Sequence, residues 1–462
     1  MSPPRAAILV AAVAIGAAVV GLLTQAPVVP GVPGASGLPV GPGAGAVDPV
    51  PWNGVNWRKR LEPFAVGDPV PMRIDGLVAG NGLVVGWGRV SVPRRNQFND
   101  MGAVFVTRDG ENWRSIALDN GVGPEHTSEP FGVSIGPLGM LAHGGVCCAS
   151  EERAFWLSAD GIRWTRLEIE GDLDAKDAWV ARVVGLPEGW VAVGSSGGRA
   201  AIWSSADART WRAVDPGQAG LGPGSISDVA VAGDRLIAVG TIDDEARTHD
   251  GGVWASDDGI QWSRVAAADP TLIGPDETEP WRIVPFARGL LMTGNHGPHE
   301  ERVRCEQLLG AVASLAAEPP PETALSCGWG REHHWVSPDG SAWLRLPPRD
   351  PLPGLPAGPE VRPIEFRLIG AGGPGLVNLG EDTRAPDGDS AVWVSADGGA
   401  WRPVDPVGPL KPAAGTPAFV LVGRTIIAVA EADGAKQLRP EWGIADEELQ
   451  AILSAHASAT AR

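Results

Sequence analysis

Carboxylates are the side chains of this sequence best placed to do chemistry, and they fall into two groups. Asp100, Asp243, Asp244 and Glu381 belong to a face of the molecule where insertions are tolerated and function tends to collect. Two carboxyls held roughly 5–10 Å apart across a cleft can cleave a glycosidic bond, one as acid and one as base or nucleophile. No motif says which two would meet, so these four are candidates by position alone. The second group is Asp109, Asp160, Asp207, Asp258, Asp339 and Asp397. Their neighbours are too alike for six catalysts, and the chemistry they suggest is turn formation.

Cysteine and histidine supply two further options. Cys305 and Cys327 bracket a stretch of helical spacing, Leu308, Leu309, Val312 and Leu315, that ends at Pro319-Pro320-Pro321. In an exported chain with four cysteines, a Cys305–Cys327 disulfide is the default expectation. Cys147 and Cys148 are adjacent, and either bridge each other or pair outside their own loop. His296, His299, Cys305, Cys327, His333 and His334 could instead ligate zinc. No tight Cys-x-x-Cys spacing supports that, so neither a metal nor a cofactor is expected.

The elements that must position these groups are announced by a repeat. Ser/Thr-x-Asp-Gly/Ala-x-x-Trp occurs six times, ending at Trp113, Trp164, Trp211, Trp262, Trp343 and Trp401. An aromatic precedes each Ser/Thr by two positions: Phe105, Trp156, Trp203, Trp254, Trp335 and Trp393. A degraded copy lies at Asn53–Trp57, with Asn in place of Asp. The Asp-to-Asp intervals of 51, 47, 51, 81 and 58 set the period of the array. Within a unit, an alternating run such as Ala391–Ser395 reads as a strand, Asp-Gly as a hairpin turn and Trp401–Val404 as the returning strand. Two more short strands precede each pair, for example 227–232 with 235–239, and 281–284 with 289–292. Four antiparallel strands repeated at this period make an all-β fold, a β-propeller.

Blade number follows from the ends. Ala418–Val422 and Thr425–Val429 are strands with no box after them, while Asn53–Trp57 is a box with no strands before it. Joined, they complete a seventh blade and leave no open edge. The count is six if the terminal strands only extend the ring. The large insertions, 88–102, 144–154, 241–251 and 295–332, all fall on the face opposite the boxes. Seven of the eight His residues, at 126, 143, 249, 296, 299, 333 and 334, lie in or beside them.

The Ser-x-Asp-Gly-x-x-Trp unit is similar to the Asp-box of sialidases and other bacterial-neuraminidase-repeat propellers, over about residues 50–440. That resemblance implies the propeller fold and is silent on function, since such propellers include hydrolases, receptors and assembly factors. It also implies positions to compare. Met72-Arg73-Ile74-Asp75 stands where sialidases carry Arg-Ile-Pro, Asp100 precedes the first box, and Arg282 and Arg367 fall on innermost strands. Arg73, Arg282 and Arg367 are thus binding candidates, although Arg182 falls on an innermost strand too. Retaining sialidases attack with Tyr. This chain has none, which excludes that mechanism.

Composition bounds the rest. Gly (63) and Pro (43) are abundant, yet 44% of the 462 residues are hydrophobic, which describes a turn-rich fold with a core. A net charge of -18 argues against nucleic acid and anionic membrane surfaces as partners, and for a monomer. Residues 1–5 carry Arg5, and 6–23 form an apolar run long enough to span a bilayer as a signal-anchor. Residues 24–49 are a Pro/Gly-rich spacer, 50–440 the propeller and 441–462 a tail with a short helix. The expected protein is a single-pass membrane protein with its head outside, or a secreted one if the segment is cleaved. It binds an extracytoplasmic protein or glycan through its insertion-rich face, the alternative being a glycoside hydrolase or lyase.

Overall fold

The computed structural model describes residues 68–429, apart from 95–96, 111, 122–125, 148–151, 244–248, 287–288, 301–302, 304–330, 347–365, 373–374, 383–388, 396–397, 399–400, 405–417 and 423–424. The expected membrane segment, the spacer, the Asn53–Trp57 copy, the helix after Cys305 and the tail lie outside the described residues. Among the described residues, no helix is long and apolar enough to cross a membrane.

The described chain is a series of antiparallel sheets, each a simple meander. The first contains β1 (Val70–Gly80), β2 (Leu83–Arg94), β3 (Gln97–Thr107) and β4 (Trp113–Ala117). The second contains β5 (Thr127–Gly136), β6 (Gly139–Cys147), β7 (Glu152–Ser158) and β8 (Thr165–Leu167). A two-residue strand, β9 (Glu170–Gly171), then pairs in parallel with the outer edge of the third sheet. That sheet is β10 (Ala178–Leu186), β11 (Gly189–Ser196), β12 (Arg199–Ser205) and β13 (Thr210–Ala213). The fourth is β14 (Gly224–Ala232), β15 (Arg235–Asp243), β16 (His249–Ser256) and β17 (Ser263–Val265). The fifth is β18 (Asp276–Phe286), β19 (Gly289–Pro298), β20 (Arg331–Ser337) and β21 (Leu344–Arg345). The sixth is β22 (Phe366–Gly372), β23 (Gly375–Asp382), β24 (Asp389–Ser395) and β25 (Trp401–Val404). β26 (Ala418–Val422) and β27 (Thr425–Val429) form a two-stranded sheet.

First strands stand side by side in chain order: β1, β5, β10, β14, β18, β22 and β26, with β26 also beside β1. Sheets so arranged about one axis are the blades of a β-propeller. Each second strand is covered on both sides by neighbouring blades, which is why β11 and β15 read as unbroken buried runs rather than alternating ones. The core is correspondingly divided, four hydrophobic clusters each joining two successive blades and a fifth lying within the first sheet.

The repeated turn explains itself atom by atom. Asp258 Oδ1 accepts from the backbone N–H of Ile260 (2.8 Å) and Gln261 (2.7 Å), while Ser256 Oγ accepts from Gly259 (2.8 Å). The Trp262 indole N–H closes the turn on the Gly259 carbonyl at 3.1 Å. The same bonds recur around Asp160 and Trp164, with φ at +77° for Gly161, the left-handed region where Gly is at ease. Burial pushes the Asp207 and Asp258 carboxyls up, but their N–H donors together outweigh it and hold both low. Donors from Arg163 and Ile162 hold Asp160 far below the usual carboxylate range. Turn glycines also seat one blade on the one before. A Cβ on Gly259 would meet Leu186 and Val191 of the third sheet, and one on Gly340 would meet Ile237 of the fourth.

Three expectations need correction. The insertions at 88–102, 144–154, 241–251 and 295–332 are not loops throughout. Their flanks continue as paired strands, with Ser91 opposite Asp100, Val146 opposite Glu152, Asp243 opposite His249 and His296 opposite Arg331. Several histidines are therefore strand residues, and His143, His333 and His334 are buried. A short helix also forms at Pro216–Ala219 (α1), with Asp215 accepting from Gly217 and Gln218 and Gly220 closing it in the left-handed region. Its Asp-Pro start and Gly stop are ordinary helix boundary signals, set too close together for a periodicity search to find.

Candidate functional site

The first strands share a defect that builds the site. The first strand of each of the six large sheets carries an extra residue at one shared place, Asp75, Phe131, Ala181, Ser227, Trp281 and Arg367, and β1 carries a second at Met72. A β-bulge of this kind re-aims the side chains beside it. The residues that resume pairing there are Gly76, Gly132, Arg182, Asp228, Arg282 and Leu368. Three of these six places, on consecutive blades, hold charged residues.

Asp228 is the centre of that group. Its Oδ1 accepts from the Val229 N–H (2.9 Å) and its Oδ2 from Ile283 N–H of the next blade (3.0 Å). Arg182 Nε of the previous blade lies 3.6 Å from Oδ1. Arg282 has no direct hydrogen bond or ion pair among the described residues. Burial depresses its pKa, the Asp228 charge opposes that, and Arg182 pushes it further down. Two guanidinium groups therefore share one carboxylate that is already engaged. His143 lies alongside, opposite Gly132 in the register and only 2% exposed. Burial, and secondarily the Arg182 charge, pushes its pKa down to about 3, against a hydrogen bond to the Ala181 backbone. It is neutral at physiological pH, so the cluster carries net positive charge.

Large aromatic faces are exposed on the same strands. Phe131 is 41% exposed, Trp179 54% and Trp281 36%. Phe131 and Trp179 meet across two blades, with ring centroids 5.4 Å apart and planes tilted by 42°. Arg153 donates to the carbonyls of Ala175 and Ala178, which fixes the backbone just before Trp179. Glu129, two residues before Phe131, pairs with Arg89 of the first sheet, and both are about one-third exposed. Sequence reasoning missed this cluster, although Glu129-Pro130-Phe131 and Glu279-Pro280-Trp281 repeat one pattern at the same place in two blades.

The positions singled out in the sequence are scattered by comparison. Arg73 follows the second break in β1, three residues before the place that Arg282 holds, and is half-exposed and bound to Asp75 of its own strand at 2.5 Å. Arg367 is the bulged residue of β22, one place away from that of Arg182 and Arg282. Asp100 lies in β3 and Glu381 in β23, opposite Ser91 and Ser390. Asp243 Oδ1 contacts His249 Nδ1 at 2.6 Å, and Asp244 lies outside the described residues.

The histidines of the fifth blade form a separate group. His296 Nδ1 is 3.0 Å from Thr278 Oγ1, and its Nε2 lies 3.6 Å from Asp276 and against Arg345. Arginine can only donate, so Nε2 accepts and Nδ1 carries the proton. Burial, and then the Arg345 charge, lowers the His296 pKa against the pull of Asp276. Thr278 is 1% exposed and out of reach of any substrate, so this Thr–His–Asp arrangement is not a nucleophile. His299 pairs with the buried Glu277. Among the described residues, no group of three or more His, Cys, Asp or Glu could hold a metal ion. Cys148, Cys305 and Cys327 lie outside the described residues.

No protein-family model matches the chain, and no curated protein matches it. Among solved structures it is similar to the β-propeller domain of the Trilobed protease from Pyrococcus furiosus, at 10% identity and a TM-score of 0.37 over 76% of this chain and 87% of that one. It is similar to Pyrococcus horikoshii acylaminoacyl peptidase at 9% identity, with a TM-score of 0.38 over 76% of this chain and 47% of that one. A GH32 β-fructofuranosidase from Bombyx mori is similar at 11% identity, with a TM-score of 0.28 over 78% of this chain and 88% of that one.

Proposed function

We propose that this chain is an exported binding propeller, tethered to the membrane by residues 6–23, whose axial cluster takes an anionic ligand. The observation that carries the reading is Arg282, a guanidinium with no direct partner among the described residues beside an Asp228 already committed to Arg182 and two N–H groups. An under-neutralised guanidinium presents a fork of donors to carboxylate or phosphate. The exposed face of Trp281, the residue just before it, adds the apolar surface that small-molecule sites share. Titration calorimetry with a simple uronate such as galacturonate tests this. Binding that weakens with salt and falls at least tenfold in Arg282→Gln is expected, whereas equal affinity in the variant would overturn the seat.

A second reading, a glycoside hydrolase or lyase, is favoured by one observation. Glu129 and Glu279 occupy the same place two residues before the bulge on β5 and β18, and glycosidic cleavage needs two carboxylates. Release of shorter products from an oligosaccharide, lost in Glu279→Gln, would establish it over binding alone.

A further inference from the structure

We infer that the Phe131–Trp179 pair is a stacking platform for a sugar ring, and that the anion seated at Arg282 is the carboxylate of an acidic oligosaccharide. The inference rests on the reading of the axial cluster as an anion seat. Both rings keep their faces largely open, which is unusual for Trp and Phe in a chain that buries most of its other large aromatics completely. The pair is also built rather than incidental. Arg153 fixes the backbone before Trp179, the bulge in β5 turns Phe131 outward, and the rings brace each other at 5.4 Å. The apolar C–H face of a pyranose lies flat on such a surface, where a wholly polar ligand would gain nothing.

The surroundings favour a saccharide over a peptide. Arg89 and Glu129 are about one-third exposed and already neutralise each other, so together they offer donors and acceptors to vicinal hydroxyls without imposing a charge. Ser195 sits opposite Trp179 in the register, and Ser225 and Ser227 follow on the next first strand. Distance then sets ligand length. Trp179 and Arg182 are three residues apart on one bulged strand, no more than about 10 Å at the usual rise per residue. Arg282 lies one blade beyond Asp228. A single sugar cannot stack on the platform and reach that guanidinium together, but two or more linked sugars can.

The test uses the full-length protein in detergent micelles and titration calorimetry with galacturonate, tetragalacturonate, neutral cellotetraose and tetraglutamate. Tetragalacturonate is expected to bind at least tenfold more tightly than the monomer, and more tightly than cellotetraose or tetraglutamate. Trp179→Ala should remove that tenfold gain while leaving the monomer within twofold, and Trp179→Phe should keep most of it. Arg282→Gln should weaken monomer and tetramer alike. Because Trp179 is over half exposed, its variants should melt close to wild type. A tetramer that binds no better than the monomer, or whose affinity survives Trp179→Ala, overturns the platform while the seat stands. Tetraglutamate binding as tightly, with the same dependence on Trp179, overturns the saccharide assignment. Monomer affinity unchanged by Arg282→Gln overturns the seat and the inference built on it.

Discussion

At Asp258 one carboxylate oxygen satisfies two backbone N–H groups that the turn would otherwise leave to solvent. That is the work of a helix N-cap carried out at a hairpin, and a similar cost for its loss applies, about 1 kcal/mol given its exposure. Asp258→Ala should lower stability to urea by that amount near neutral pH. The pH dependence has a definite sign. The folded carboxyl titrates below its unfolded value, so its contribution is fully present above about pH 4. It is lost as pH falls through the depressed folded pKa, and the gap between wild type and variant should close there. A gap that widens in acid would mean the carboxyl is not held low. Asp68, Asp172 and Asp269 do related work outside the turns. Each lies ahead of a first strand and accepts from an outer-strand N–H of the same blade, at Ser115, Ala213 and Trp343. Their recurrence was present in the sequence, but each sits in a different local context and no window of residues displays it.

The hairpin turn is the element that the sequence describes best, because all its determinants lie within seven residues. It does more than reverse the chain. Gly259 presses on Leu186 and Val191 of the preceding blade, closely enough that a methyl group there would come within 2.6 Å of Leu186. Gly259→Ala adds a left-handed alanine, about 1–2 kcal/mol, to this crowding. A loss of roughly 2–3 kcal/mol in denaturant unfolding is expected. Ala208 shows what accommodation looks like, since the third blade holds an alanine at φ +62° with its side chain fully buried. If Gly259→Ala costs nothing, the turn is not what seats the blade. The bulge is the element the sequence hides. It shifts pairing by one residue, so Arg182 and Arg282 share a place while Arg73 and Arg367 do not. Counting along strands cannot reveal a register break, so Arg282 and Arg182 were legible as innermost-strand residues while Asp228 between them was not. The strand extensions at the insertions were missed because Gly, Pro and charged residues there read as turn composition. Pairing across the blade overrides that preference.

For the molecule as a whole, the decisive contact is that of β26 with both β22 and β1. The two-stranded sheet of β26 and β27 thus stands between the last four-stranded sheet and the first. Each blade buries its apolar surfaces only against its neighbours, so removing this sheet exposes two faces at once. Deleting residues 415–440 should give insoluble protein under conditions where residues 50–462 remain soluble. A soluble deletion variant with an unchanged melting temperature would show that the first and sixth sheets meet without it. The Asn53–Trp57 segment would complete the outer half of that blade, as its box pattern suggests.

The seating of turn glycines has a further consequence, one of symmetry. Gly161, Gly259, Gly340 and Gly398 each rest on the sheet before their own, never on the one after. Contact between blades is therefore heterologous: a donor surface on one side of every sheet fits an acceptor surface on the other. Such an interface has no built-in end, and only the rotation per unit decides whether it returns to its origin. In the intact chain the origin is reached after one turn. A fragment that stops short keeps one vacant donor and one vacant acceptor, complementary to each other. It is then the repeating unit of a linear polymer, so the same geometry that gives a closed monomer would give a broken one the means to grow fibres.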